Sequence, residues 1–132
     1  MRFRLVTAVV ASGLLLSVVP LLAHHATQAQ YDKDKTKEIT GVMTRVQWVN
    51  PHVRWQLDVT NDDGTMTTWE IGGSGPGGYR RNGITASGVF PVGETYTALI
   101  ALARDGTPRG YIMTWTLPTG TKMDFWHDYG DQ

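Results

Sequence analysis

Two stretches of strict alternation meet at Trp48-Val49-Asn50-Pro51-His52, and no other feature restricts the fold of this chain so tightly. Between Glu38 and Trp48, Val42, Thr44, Val46 and Trp48 share one face while Met43, Arg45 and Gln47 share the other, which is strand period. The alternation resumes from His52 to Thr60, with Val53, Trp55, Leu57 and Val59 inward and His52, Arg54, Gln56 and Asp58 outward. Pro51 lacks the amide proton a ladder needs and holds Asn50 extended, so the pentapeptide marks a strand boundary or bulge. It sets His52 at the mouth of a small barrel.

Asp62-Asp63-Gly64 fits a three-residue hairpin loop with glycine in the left-handed position. That loop places Leu57 opposite Trp69, Trp55 opposite Ile71 and Gln56 opposite Glu70, with Arg54 diagonal to the carboxylate. An even-length loop would set Trp55 against Glu70, a slip that a one-sided core does not tolerate.

Gly72 to Pro91 is glycine-rich, and Gly73, Gly75 and Gly78 spell a literal G-x-G-x-x-G. A nucleotide loop must open a helix inside a β-α-β unit, whereas Pro76 and Gly77 stand where that helix would begin. The segment is read instead as a crossover in which Tyr79 to Asn82 makes at most a short helical turn ended by Gly83. Pro91 to Glu94 then turns the chain into a strand from Thr95 to Arg104. Asp105-Gly106 predicts a two-residue type I′ loop, and the fifth strand runs from Arg109 to Leu117. That loop would pair Tyr96 with Trp115, Ala98 with Met113 and Ile100 with Tyr111. After a Pro118-Thr119-Gly120 turn, Phe125-Trp126-His127 is either an edge segment or frayed chain. The expected fold is all-β, a small five-stranded antiparallel OB-like barrel with a short helical turn between strands 3 and 4. A small antiparallel sandwich is the alternative.

Residues 1–23 read as a secretory signal: Arg2 and Arg4, an apolar run from Leu5 to Val19, then Pro20 to Ala23. An uncleaved anchor is the competing reading, weakened by Thr7, Ser12, Gly13 and Ser17 within the run. Cleavage after Ala23 makes His24 the new N-terminus; cleavage after Ala29 discards both His24 and His25. The first is favoured, because the second leaves a long polar stretch behind the apolar core. The expected organisation is a signal peptide over 1–23, an arm over 24–37, a barrel over 38–120 and a tail over 121–132, giving a periplasmic or secreted protein. Of the 132 residues, 12 are basic and 12 acidic, and removing Arg2 and Arg4 tips the balance slightly negative. That balance argues against nucleic acid as a partner, and after signal removal no membrane partner is expected. The absence of cysteine excludes disulfides, thiolate metal sites and cysteine nucleophiles.

Ala23-His24-His25, Tyr31-Asp32, the strand from Gly41-Val42 to Trp48, Asn50-Pro51-His52, Trp69-Glu70, Arg80 to Gly83 and Pro91 to Glu94 together carry a family resemblance. Over roughly residues 23–120 the chain resembles a family of short exported bacterial proteins of uncharacterised function. Members usually carry Ser after the paired histidines, where this chain has Ala26. The resemblance implies the fold and export, and it implies no activity.

Two functional readings stand. In the first, His24 offers an α-amine and an imidazole on one residue, and His25 and His52 add further nitrogens. Such a donor set suits Cu(II), with Zn(II) and Ni(II) as competitors. The bland counterpart is a mobile histidine end, with His52 bonded to the Asn50-Pro51 turn. In the second, the chain is a non-catalytic OB-like module for a glycan, peptide or partner protein, with Trp48, Asn50, Arg54 and Glu70 as ligand contacts. Here Trp48 and Trp126 are the tryptophans expected near the surface, while Trp55 and Trp69 face the core by parity. Arg54 and Glu70 read otherwise as a surface cross-strand pair. An enzyme is disfavoured, since no nucleophile has an evident base.

Overall fold

A computed structural model describes residues 29–81 and 83–125. The chain divides into two units, Met1–Gln30 and Tyr31–Gln132, and every described strand belongs to the second. In chain order these are β1 (Tyr31–Gln47), β2 (Arg54–Thr60), β3 (Met66–Gly72), helices α1 (Pro76–Arg81) and α2 (Ala86–Val89), β4 (Thr95–Ala103), β5 (Arg109–Thr116) and β6 (Lys122–Asp124). The strand order is β3-β2-β1-β4-β5-β6, and a parallel β3–β5 pairing joins the first five into a ring. Every other pairing is antiparallel. The all-β class expected from alternation is what the chain adopts, with its helical turns in the predicted crossover.

β1 departs from the simple alternation in two ways. It begins at Tyr31, before the expected Glu38, because Tyr31 and Asp32 pair with Ala103 and Leu102 beyond an irregularity at Asp32/Thr36. Backbone pairing needs no apolar side chain, so the charged stretch carries no period to betray it. A second irregularity falls between Met43 and Arg45. It transfers the inward face from Ile39, Gly41 and Met43 to Val46 and Trp48, and leaves Val42 41% exposed. Val42, Thr44, Val46 and Trp48 therefore do not share one face. Gly41 is required by close approach: a Cβ there would lie 2.5 Å from the Asp58 carbonyl oxygen.

The β2–β3 ladder has the expected register, with Trp55 opposite Ile71, Gln56 opposite Glu70 and Leu57 opposite Trp69. The β4–β5 ladder does not. Ala98 faces Trp115, Ile100 faces Ile112 and Ala101 faces Tyr111, with an irregularity between Leu99 and Ile100. A type I′ loop needs positive φ at both central residues, and only Gly106 has it (φ 74°). Pro108 has no amide proton to open a ladder, so the connection is longer than two residues.

α1 starts at Pro76, contrary to the expectation that proline would block a helix there. The first helical position does not need its amide proton, and the fixed φ of proline suits it. Gly83 (φ 72°) follows the helix, with its N–H donating to Arg80 O (3.0 Å) and that of Ile84 to Tyr79 O (3.0 Å).

The core is unusually aromatic. Trp55, Trp115, Tyr79, Tyr96 and Phe90 are each buried, and Trp55 meets Tyr79, Phe90 and Trp115 at centroid distances of 6.0, 5.4 and 5.6 Å. Such edge-on pairs add to the burial of large rings. Phe125 follows β6, is buried, and donates its N–H to Met113 O (2.8 Å), so this part of the tail packs back. Trp126 and His127 lie outside the described residues.

Candidate functional site

His52 is the histidine among the described residues, just ahead of β2. Its ring is exposed, and its Nδ1 lies 3.1 Å from Gly73 O. A carbonyl oxygen only accepts, so Nδ1 carries the proton and donates it. In the neutral ring Nε2 then keeps its lone pair. Metal-ligating histidines are commonly held this way, one nitrogen donating to a carbonyl while the other faces the ion. The acceptor lies in the glycine-rich crossover, not in the Asn50-Pro51 turn.

The glycines bring that carbonyl into reach. Gly73 N–H donates to Val53 O and Val53 N–H to Ser74 O (both 3.0 Å), extending the β2–β3 ladder past its named ends. A Cβ on Gly73 would lie 2.8 Å from the Trp55 ring and strike the Tyr79 hydroxyl, and one on Gly75 would lie 2.8 Å from Pro51 O. The first two glycines of the G-x-G-x-x-G pattern answer to packing.

Trp48 and Asn50 flank this point. The Trp48 ring sits 5.4 Å from Tyr79 and 6.4 Å from Trp55, so it is half-buried as the rim of the aromatic core. Asn50 is exposed, joined to Pro51 by a cis peptide bond, with its Oδ1 3.8 Å from where a Gly75 Cβ would stand. Trp69 is half-buried beneath the Lys37 ammonium, 5.2 Å from the ring centroid.

Arg54 and Glu70 do not form the expected cross-strand pair. Among the described residues the ion pairs are Lys35–Asp32, Arg104–Asp32 and Arg109–Asp105. Glu70 stands opposite Gln56 on β2, as expected, with Arg109 of β5 on its other side, and Arg54 lies opposite Gly72.

Sequence reasoning placed Tyr31 in an arm lying along the barrel and missed that it opens β1. Its hydroxyl comes within 3.6 Å of a Cβ position on Gly72, and its ring packs 5.8 Å from Tyr111. The Tyr111 hydroxyl is 3.3 Å from Ser74 Oγ. Burial pushes the Tyr31 phenol above its ordinary range, opposed by the positive charge of Arg109. Tyr31, Gly72, Gly73 and His52 thus form one run along the crossover.

His24 and His25 lie outside the described residues. Among the described residues, no three His, Asp or Glu side chains converge to hold a metal ion. Among them also, no helix is long and apolar enough to cross a membrane. No curated protein matches the chain. Residues 12–112 match the model of a family of unknown function (DUF6152).

Proposed function

The chain belongs to that family, and from this premise we propose an exported, OB-like β-barrel protein that binds a transition metal, copper foremost, through His24, His25 and His52. Export rests on the signal-like first 23 residues, and the barrel reading is supported by the closing β3–β5 pair. The observation that carries the metal reading is the Nδ1–H donated by His52 to Gly73 O, which reserves Nε2 for a ligand.

One histidine does not make a site, so the remaining donors are the α-amine and imidazole of a processed His24, with His25. An amine and imidazole on the same residue chelate without further ordering of the chain, and nitrogen-rich ligation favours Cu(II).

Intact mass of the exported protein is expected to place His24 first. Cu(II) titration is expected to weaken at least tenfold after N-acetylation or in His52→Ala, and to weaken as pH falls, because amine and imidazole must lose protons to bind. Equal affinity in the acetylated protein removes the chelating terminus. Cleavage after Ala29 removes the site altogether.

A further inference from the structure

We propose that Tyr79 is a positioning residue for His52, acting through the single peptide group between Gly73 and Ser74. That group is held at both of its polar ends. Its carbonyl, Gly73 O, accepts the proton of His52 Nδ1 (3.1 Å), and its N–H, on Ser74, donates to the Tyr79 hydroxyl oxygen (2.9 Å). The peptide is trans and planar, with C=O and N–H pointing in opposite directions, so fixing one end aims the other. This role rests on His52 serving as a metal ligand, because such a partner draws on the Nε2 lone pair.

Glycine is what makes the restraint necessary. With no Cβ, Gly73 lets the peptide plane that follows it turn over at small cost, which would swing the carbonyl away from the imidazole. The same lack of a Cβ admits the Tyr79 hydroxyl, because a side chain at position 73 would strike it. The groups on either side of the plane are pinned separately. Gly73 N–H donates to Val53 O, Val53 N–H donates to Ser74 O (both 3.0 Å), and Ser74 Oγ lies 3.3 Å from the Tyr111 hydroxyl. A flip of the plane leaves those contacts in place, so they do not prevent it. The Tyr79 hydroxyl, bonded to the plane itself, does.

Tyr79 is itself fixed. It is buried on α1, with its ring centroid 5.4 Å from that of Trp48, 6.0 Å from Trp55 and 5.2 Å from Phe125. A hydroxyl on a ring so enclosed keeps one place. The consequence at His52 is where its proton sits. A free neutral imidazole side chain favours the proton on Nε2, whereas the bond to Gly73 O draws it to Nδ1 and leaves Nε2 as an acceptor. A buried phenol on α1 thus sets the donor atom of an exposed ring that it does not touch through a bond of its own.

The test is the tautomer of His52 in metal-free protein at about pH 8.5, where histidine is neutral, read from the ring-nitrogen NMR shifts. The His52→Gln variant assigns the signals. In the wild-type protein the proton is expected mainly on Nδ1. Tyr79→Phe keeps the packed ring and removes only the hydroxyl, and it is expected to move the proton mainly to Nε2. Tyr96→Phe controls for general loosening of the core: that buried hydroxyl donates elsewhere, to Pro91 O (3.0 Å), and its loss is expected to leave His52 unchanged. Thermal melts confirm that both variants fold, and the wild-type reading needs neither. A wild-type proton on Nε2, an unchanged tautomer in Tyr79→Phe, or an equal shift in Tyr96→Phe each overturns the proposal. Cu(II) titration separates it from the metal reading. Tyr79→Phe is expected to bind about tenfold more weakly than wild type, and equal affinity overturns the positioning role. Absence of Cu(II) binding in the wild type removes the metal reading and leaves the tautomer result to stand by itself.

Discussion

The two hairpin loops contain the same tripeptide, Asp63-Gly64-Thr65 between β2 and β3 and Asp105-Gly106-Thr107 between β4 and β5, yet one hairpin follows the simple register and the other does not. Locally the copies behave alike. Asp63 Oδ1 accepts from Thr65 N (2.9 Å) and Thr65 Oγ (2.6 Å); Asp105 Oδ1 accepts from Thr107 N (3.1 Å) and Thr107 Oγ (2.6 Å). Both glycines are left-handed, at φ 83° and 74°. The difference begins one residue later. Met66 continues the ladder against Thr60, and Asn61 N–H closes the loop on Thr65 O (2.8 Å). Pro108 cannot donate, and its carbonyl instead accepts from Glu70 N–H (3.0 Å) on β3. A short motif sets its own turn, while the next residue and its tertiary partner set the register.

The largest expected effect contrasts the glycines where these two hairpins pair. Gly110 lies against Ile100, whose Cδ1 would be 2.6 Å and Cβ 2.8 Å from an added Cβ, in a core already filled. Gly110→Ala should therefore cost about 2–3 kcal/mol in urea unfolding. Gly72→Ala, whose nearest neighbour is the Tyr31 hydroxyl at 3.6 Å, should stay within about 1 kcal/mol. Equal costs would mean that the packing around Ile100 does not set the β4–β5 register.

A smaller contrast separates the aspartates. Asp105 also pairs with Arg109, which Asp63 has no counterpart for. Asp105→Ala should lower Tm more than Asp63→Ala, and the gap should narrow in 1 M salt, where exposed charges are screened. The smallest effect is on pH dependence. Hydrogen bonds from Thr107, with Arg109 beside them, hold the Asp105 carboxyl at about 2 against an ordinary 3.8; Thr65 lowers that of Asp63. A depressed folded-state pKa stabilises fully above the unfolded value, and the contribution is lost as pH falls from about 3.8 towards 2. Carboxyl-carbon NMR titration should find the Asp105 midpoint below the ordinary aspartate range, and a midpoint near 3.8 would mean that this loop is open in solution.

Much of the fold was legible. The β2–β3 register followed from parity alone, because Trp55, Leu57 and Ile71 leave one arrangement with apolar groups facing inward. The switch of face at Met43 was not legible: Thr44, Arg45 and Val46 suit either phase of a strand. At the candidate site, His52 could be singled out by its place after Pro51. Its hydrogen-bond acceptor could not, since Gly73 is 21 residues away. Gln56 opposite Glu70, with Arg54 diagonal, followed from the loop length, but Arg109 beside Glu70 did not, since the parallel β3–β5 pairing brings it there.

Sequence by itself determined β2 and β3 with their inward faces, since period and turn chemistry act over a few residues and need no distant partner. Tertiary structure alone decided the ring closure through β3 and β5, the long start of β1 over Gly72 and Tyr111, and the tautomer of His52. Each of these depends on groups far apart in the chain coming within hydrogen-bonding or van der Waals distance. No local pattern encodes such contacts, because the backbone carbonyls, amides and glycines that make them are present everywhere.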